Sequence, residues 1–330
     1  MKPRLKPFAV STWNYLCVSR QNKVNMLKTP LALLFLLLSN LSGICQESVE
    51  LFNTALNKAK QGDMTGAIVD FDKSIALDES NANAYYWRGL AKASIDLTTE
   101  AIADFGLATQ HDESFGDAYL RRGTLYNNVG NSAAALENLN PAVKLLPGNM
   151  EALFNRGIAN SNNGFHEQAV LDFTDVLKND PKNYDACLNR GISYRKLNNL
   201  EKCIEDFSAC IRKQPFRPDG YVNRGIVYRM QDNFELAISD YTQALVHNPG
   251  NADAFYNRGI AYSKQDNHQM AIGDFSKAIK IDPQDADSYM NRGLELVISG
   301  KKESGCTDII KAANLGSETA IKERNRFCKR

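Results

Sequence analysis

The chain has 330 residues, 43% of them hydrophobic and 23% charged, the composition of a foldable soluble protein and not of a disordered or many-span membrane chain. Lys+Arg 39 against Asp+Glu 38 gives a net charge of +1, so no bulk charge argues for nucleic-acid binding. Four histidines leave little material for metal or acid–base chemistry.

Residues 1–45 carry Lys2, Arg4, Lys6, Arg20, Lys23 and Lys28 and no acid. The apolar stretch Leu31–Leu38 follows Lys28, and small and polar residues lead out to Ile44-Cys45-Gln46. A basic start, an apolar core of this length and a small-residue exit predict a secretory signal, too short for a good transmembrane span. Met26 opens a compact version of it and is the expected translation start. Cleavage is expected after Cys45. A lipid anchor on Cys45 is the alternative, against which the bulk of Ile44 counts. Loss of 1–45 takes the net charge from +1 to −5, further from nucleic-acid binding. The expected location is periplasmic or secreted, with no membrane span left after signal removal.

From there the chain is periodic. Arg-Gly recurs every 34 residues, at Arg88-Gly89, Arg122-Gly123, Arg156-Gly157, Arg190-Gly191, Arg224-Gly225, Arg258-Gly259 and Arg292-Gly293. An aromatic follows the Gly by 16 residues in most copies (Phe105, Phe173, Phe207, Tyr241, Phe275), with Ala four residues before it at 101, 169, 237 and 271. Pro147, Pro181, Pro215, Pro249 and Pro283 close copies, and Ala67 and Phe71 mark a degenerate first one. Fixed self-similarity at this period is the signature of a solenoid. Each copy holds two helix-length apolar patterns, such as 254–264 and 269–280. The residue between them is Gly62, Asp96, Gly130, Gly164, Asn198, Asp232, Asp266 or Gly300, the types that tolerate left-handed backbone. The Gly259 column is expected to face the Ala271 column across the hairpin.

Phe255, Gly259, Tyr262, Ala271, Phe275, Ala278 and Pro283 stand in one copy in a pattern that resembles the tetratricopeptide repeat (TPR) family, and the resemblance covers nearly all of residues 46–319. Arg258 and its equivalents depart from it, replacing the family's usual Leu. The resemblance implies an all-α, right-handed superhelical solenoid of eight helix-turn-helix repeats, 16 helices in antiparallel pairs. A further helix over 320–330, starting near 318, should cap the last apolar face.

Asp precedes the aromatic at Asp70, Asp104, Asp172, Asp206, Asp240, Asp274 and Asp308, with Asn138 in the third copy. The first copy has Thr54 in the Arg column, so pairing each Asp with the Arg of the next copy leaves no orphan at the start. That register gives Asp70–Arg88, Asp104–Arg122, Asp172–Arg190, Asp206–Arg224, Asp240–Arg258, Asp274–Arg292 and Asp308–Arg326. Contacts between antiparallel helices conserve the sum of residue numbers, and Cys306 and Cys328 share the sum of Asp308 and Arg326. A Cys306–Cys328 disulfide is therefore expected in an oxidising compartment. Cys187, Cys203 and Cys210 fall in core columns of the fifth copy, match no zinc spacing, and are read as packed thiols. His111, His166, His247 and His268 fall near helix ends or turns and are read as solvated.

No nucleophile elbow, phosphate loop or His-Glu-x-x-His occurs, so no enzymatic activity and no cofactor is expected. The family resemblance implies a concave groove lined by first helices. Its candidate binding residues are Tyr86, Phe154, Asn189, Arg195, Asn223, Arg229, Tyr256, Asn257 and Lys264, and its Asn column would hydrogen-bond a peptide backbone. The chaperone-carboxylate clamp of the family needs Lys in the Tyr256 column and Asn in the Ile260 column, and neither occurs. The expected function is an exported scaffold holding a peptide or protein surface. The alternatives are a self-associating assembly component and glycan or small-ligand binding.

Overall fold

A residue that accepts left-handed backbone at each hairpin centre lets two apolar helical stripes fold back on one another. All eight expected positions adopt it: Gly62, Asp96, Gly130, Gly164, Asn198, Asp232, Asp266 and Gly300 have φ between 55° and 90°. The computed structural model describes residues 31–328, with side chains from residue 44 onward. The basic segment and Met26 lie outside the described residues, as do the side chains of Leu31–Leu38. The described residues are helices and turns, an all-α helical-repeat solenoid.

The chain forms two compact units, residues 1–152 and 153–330. The first contains α1 (Leu31–Gln61), α2 (Met64–Leu77), α3 (Ala82–Ala93), α4 (Thr98–His111), α5 (Gly116–Asn128) and α6 (Ser132–Leu145). The division falls within α7 (Met150–Asn162). The second unit continues with α8 (His166–Asn179), α9 (Tyr184–Lys196), α10 (Leu200–Lys213), α11 (Pro218–Met230), α12 (Phe234–His247), α13 (Ala252–Lys264), α14 (His268–Ile281), α15 (Ala286–Ile298), α16 (Lys302–Asn314) and α17 (Glu318–Phe327).

Many helices open on an Asn whose side chain accepts the backbone N–H three residues on, as Asn183 does from Ala186 and Asn251 from Ala254. These caps satisfy donors that the first turn leaves free. Within each unit the aromatic column forms the core. Phe71 and Phe105 are buried in the first unit, and Phe173, Phe207, Tyr241 and Phe275 in the second. The Gly column meets these rings: a Cβ on Gly259 would lie 2.8 Å from Phe275 and one on Gly191 2.6 Å from Phe207. It faces the Ala column as well, with the Ala135 carbonyl 3.2 Å from a Cβ on Gly123 and the Cys203 thiol donating to the Gly191 carbonyl at 3.3 Å. The rings are the larger neighbours, so they set how near the first helix can come.

α17 packs on α16. Ala320 is fully buried with Ile309 and Ala312, and Tyr289, Met290 and Leu294 pack beside them. The last apolar face is thus covered by a short helix whose outer side is polar.

Substitution of Gly259 separates close approach from backbone propensity. Gly259→Ala forces the Phe275 ring to move and is expected to cost about 1–3 kcal/mol in chemical denaturation. Gly273→Ala on α14, with nothing within 4 Å of the added Cβ, is expected to stabilise by up to about 1 kcal/mol from helix propensity alone.

Candidate functional site

The Arg–Asp ladder exists, with a register that differs from expectation. Each Arg grips the Asp of its own copy, 16 residues on. Arg156, Arg190, Arg224, Arg258 and Arg292 donate from Nε and Nη2 to both carboxylate oxygens of Asp172, Asp206, Asp240, Asp274 and Asp308, at 2.6–3.1 Å. Arg88 holds Asp104 in the same way. The expected pairs Asp70–Arg88, Asp104–Arg122, Asp172–Arg190, Asp206–Arg224, Asp240–Arg258, Asp274–Arg292 and Asp308–Arg326 are therefore corrected. A planar guanidinium matches a carboxylate in two-point fashion, and within the hairpin both fork atoms face the Asp directly.

The link to the neighbouring copy runs through the remaining nitrogen. Nη1 of Arg190, Arg224, Arg258 and Arg292 donates to Thr174, Ser208, Thr242 and Ser276 of the preceding copy, and Arg88 reaches Asp72. Hydroxyl residues two positions after the Asp are thus the inter-repeat contact. Asp70, which lacks an Arg in its own copy, is held by Lys58 at 2.6 Å. Lys92 and Asn160 make the equivalent contact to Asp104 and Asp172. Arg326 lies 3.7 Å from Glu323, because Asp308 is already taken by Arg292. In the third copy Asn138 replaces the Asp and donates to the Ala134 carbonyl of its own helix, and the Nε of Arg122 has no partner.

Burial and pairing compete at these carboxylates. Burial, outweighing Arg224, holds Asp240 above the usual carboxylate range. The Lys58 hydrogen bond, opposed by burial and helped by Lys58 and Lys73 charge, holds Asp70 below it.

Cys306 and Cys328 lie at disulfide distance, with sulfurs 2.11 Å and Cα atoms 5.5 Å apart. Cys187, Cys203 and Cys210 are buried, each sulfur against a backbone carbonyl, of Asp206, Gly191 and Tyr184. His268 departs from the solvated reading: its Nδ1 is 2.6 Å from Glu295, a buried carboxylate that also accepts from Ser263. Glu295 stands where other copies carry Ala, Leu, Ser, Val or, in the first, Asn57, and a carboxylate in this otherwise uncharged column is the signal that could have shown this cluster in advance.

On the first helices, Tyr86 packs on Phe105 and Phe115, Phe154 on Phe173 and Tyr256 on Phe275. All three rings stay half-buried. The Tyr256 hydroxyl accepts from Asn291 at 3.3 Å. Asn189, Asn223 and Asn257 donate to the carbonyl four residues earlier on their own helix at 2.8–2.9 Å, which ties up a donor that the family resemblance would lend to a peptide. Arg195 and Arg229 are half-buried and Lys264 is exposed.

Paired helices of constant length, repeated with one turn residue and one core column, define the class of helical-repeat solenoids. Tetratricopeptide repeat profiles match residues 184–215, 218–251 and 252–285, and a TPR repeat profile matches 58–95. The chain belongs to the tetratricopeptide repeat family. A tetratricopeptide repeat protein from Parabacteroides merdae ATCC 43184 is 19% identical over 84% of this chain and 97% of its own, with a TM-score of 0.53. A chain in the APC/C hetero-tetramer Cut9–Hcn1 is 15% identical over 84% of this chain and 55% of its own, with a TM-score of 0.59. MamA is 25% identical over 50% of this chain and 96% of its own, with a TM-score of 0.46. The first two likenesses show the fold. The search of curated proteins found no match.

The Asp70 contact carries a pH dependence. A carboxyl lowered in the folded state adds stability that is present above its ordinary unfolded value, near pH 4, and is lost as pH falls through the folded value. Asp70→Asn is expected to flatten that acid limb of stability against pH, read by urea denaturation between pH 5 and 2.

Proposed function

We propose that the protein is a non-enzymatic scaffold, exported from the cytoplasm, that holds an extended peptide or protein surface along its first helices. The observation carrying this reading is a row of half-buried apolar side chains on the first helices of the second unit. Leu188, Val222, Tyr256 and Met290 form it, with Ile192, Ile226, Ile260 and Leu294 one turn on. The core beneath is already filled by the aromatic column, so the outer half of each side chain is available to a partner. Repetition at a fixed interval suits a ligand that is itself extended.

Export draws support from where α1 makes its contacts. Ser48 hydrogen-bonds Ser74, Phe52 packs on Phe71, and Lys58 holds Asp70. All three lie beyond Cys45, so cleavage there cuts α1 but leaves these contacts of its C-terminal part with the first repeat in place. The placement of Cys306 and Cys328 suits an oxidising compartment. Among the described residues, no helix is long and apolar enough to cross a membrane.

Pull-down from envelope extracts tests the scaffold reading. Tyr256→Ala and Arg229→Glu are expected to reduce recovery of a specific partner about tenfold or more, the effect of losing an interface anchor. Equal recovery by wild type and both variants would remove groove binding.

Mapping the native N-terminus by mass spectrometry is expected to place it at Gln46 in an extracytoplasmic fraction. The same sample under non-reducing conditions should contain a Cys306–Cys328 cross-link, and Cys328→Ser should lose about 3 kcal/mol of stability for a loop of this size. An intact chain in the cytoplasm with both thiols free would sink the export reading.

A further inference from the structure

Arg195 on α9 and Arg229 on α11 occupy one column, one period apart, and neither resembles the arginines of the ladder. Among the described residues neither pairs with a carboxylate, and the Nε of each is buried without a hydrogen-bond partner. In the flanking copies the column holds Ser161 and Ser263, whose hydroxyls meet Ser193 and Glu295 on the next first helix, 32 residues on. At that distance from Arg195 and Arg229 stand Val227 and Ala261, both buried and apolar. The seam between consecutive first helices thus carries two cations for which the described residues supply no carboxylate.

A third group lies beside them. The aromatic column is Phe71, Phe105, Phe173, Phe207 and Phe275, with Leu139 and Ile309 in two copies. Only Tyr241 adds a hydroxyl. The residue is fully buried, its hydroxyl oxygen lies where Arg229 can donate to it, and both Arg229 and Arg195 act on it electrostatically. Burial pushes that hydroxyl up to about 12, so it remains a proton donor at neutral pH. Burial, reinforced by the like charge of Arg229, holds Arg195 below the usual guanidinium range.

Burying a charge without a partner is costly, and the cost grows when a like charge lies within reach. A purely structural residue here would be apolar, as Val297 is in the last copy of the same column. We propose that Arg195 and Arg229 form a receptor for a carboxylate borne by an extended acidic peptide lying across α9 and α11. Two guanidinium groups one period apart, with no carboxylate of the described residues paired to either, are the complement of an oxyanion. The apolar row on either side (Leu188 and Ile192 on α9, Val222 and Ile226 on α11) takes the peptide's apolar side chains. This inference rests on the peptide-binding reading above and adds the chemistry of the ligand. It is separate from the family's chaperone-carboxylate clamp, whose columns this chain fills with other residues.

The test uses the full chain and two labelled peptides of alternating Leu and Glu or alternating Leu and Gln, followed by fluorescence anisotropy. A parallel titration with glutarate is followed by NMR of the arginine Nε–H groups. The Glu peptide is expected to bind about tenfold or more tightly than the Gln peptide, and to weaken as salt is raised. Arg195→Gln and Arg229→Gln should each lose about that factor for the Glu peptide alone. Glutarate should shift the Arg195 and Arg229 resonances. The melting temperature of Arg195→Gln should equal or exceed that of wild type, because no structural pair is broken. Equal affinity for both peptides, reduced for both by Tyr256→Ala, would overturn the carboxylate receptor and leave groove binding standing. Shifts with glutarate but no binding of either peptide would overturn the peptide as ligand. Unmoved resonances, or a lowered melting temperature with unchanged peptide affinity, would overturn the receptor itself.

Discussion

The close approach of two helices at a glycine is the constraint on which the repeat depends. A bare Cα at Gly191, Gly225 or Gly259 lets the ring from the second helix lie against the first helix's backbone. With the ring seated there, the separation and rotation of the hairpin are set. The residue just before the glycine then points at the residue just before the ring. The Arg–Asp pair follows from this geometry, because Arg258 precedes Gly259 and Asp274 precedes Phe275. Packing provides the attraction and the ion pair reports the register.

Such a pair is better understood as a coupling between copies than as a store of stability. Two of the guanidinium's nitrogens serve the hairpin, and the third crosses to a hydroxyl of the copy before it. One planar group thereby ties three helices together, which a lysine, with a compact point charge, does less well. Where the Arg is missing, Lys58 supplies charge to Asp70 from the same helix, and the hairpin still closes. Where the Asp is missing, at Asn138, Arg122 is left with an unpartnered nitrogen and keeps the contact over Tyr126 that Arg224 also makes over Tyr228. The ladder tolerates gaps because each rung is local.

The same regularity makes departures informative. A repeat protein presents many equivalent positions, and a residue that breaks its column in one or two copies stands against an internal control. Glu295 puts a carboxylate in a column that is otherwise uncharged and is answered by His268 and Ser263. Tyr241 breaks a column of hydrocarbon side chains and lies beside two cations. The first departure brings a carboxylate its partners, whereas at the second no carboxylate of the described residues pairs with either cation.

The period, the hairpin turns, the core columns and the closing helix were legible from residue types alone, because each rests on a local requirement. Left-handed backbone demands Gly, Asn or Asp, close approach demands Gly, and an amphipathic helix demands apolar spacing. The juxtaposition of Cys306 and Cys328 was also legible, since antiparallel helices keep a constant sum of residue numbers. That same rule failed for Arg326 and Asp308. It shows which positions face each other, not which of two reachable partners a long flexible side chain takes. Asp308 sits between Arg292 in its own copy and Arg326 beyond it, and only the packed hairpin puts the first fork in line with both oxygens. The Asn column shows the same limit: its spacing marks a surface, but the donors turn back to their own helix. Linear order thus determined which backbones pair, and three-dimensional packing decided which side-chain heads meet, because that choice depends on rotamers and on competition for shared partners.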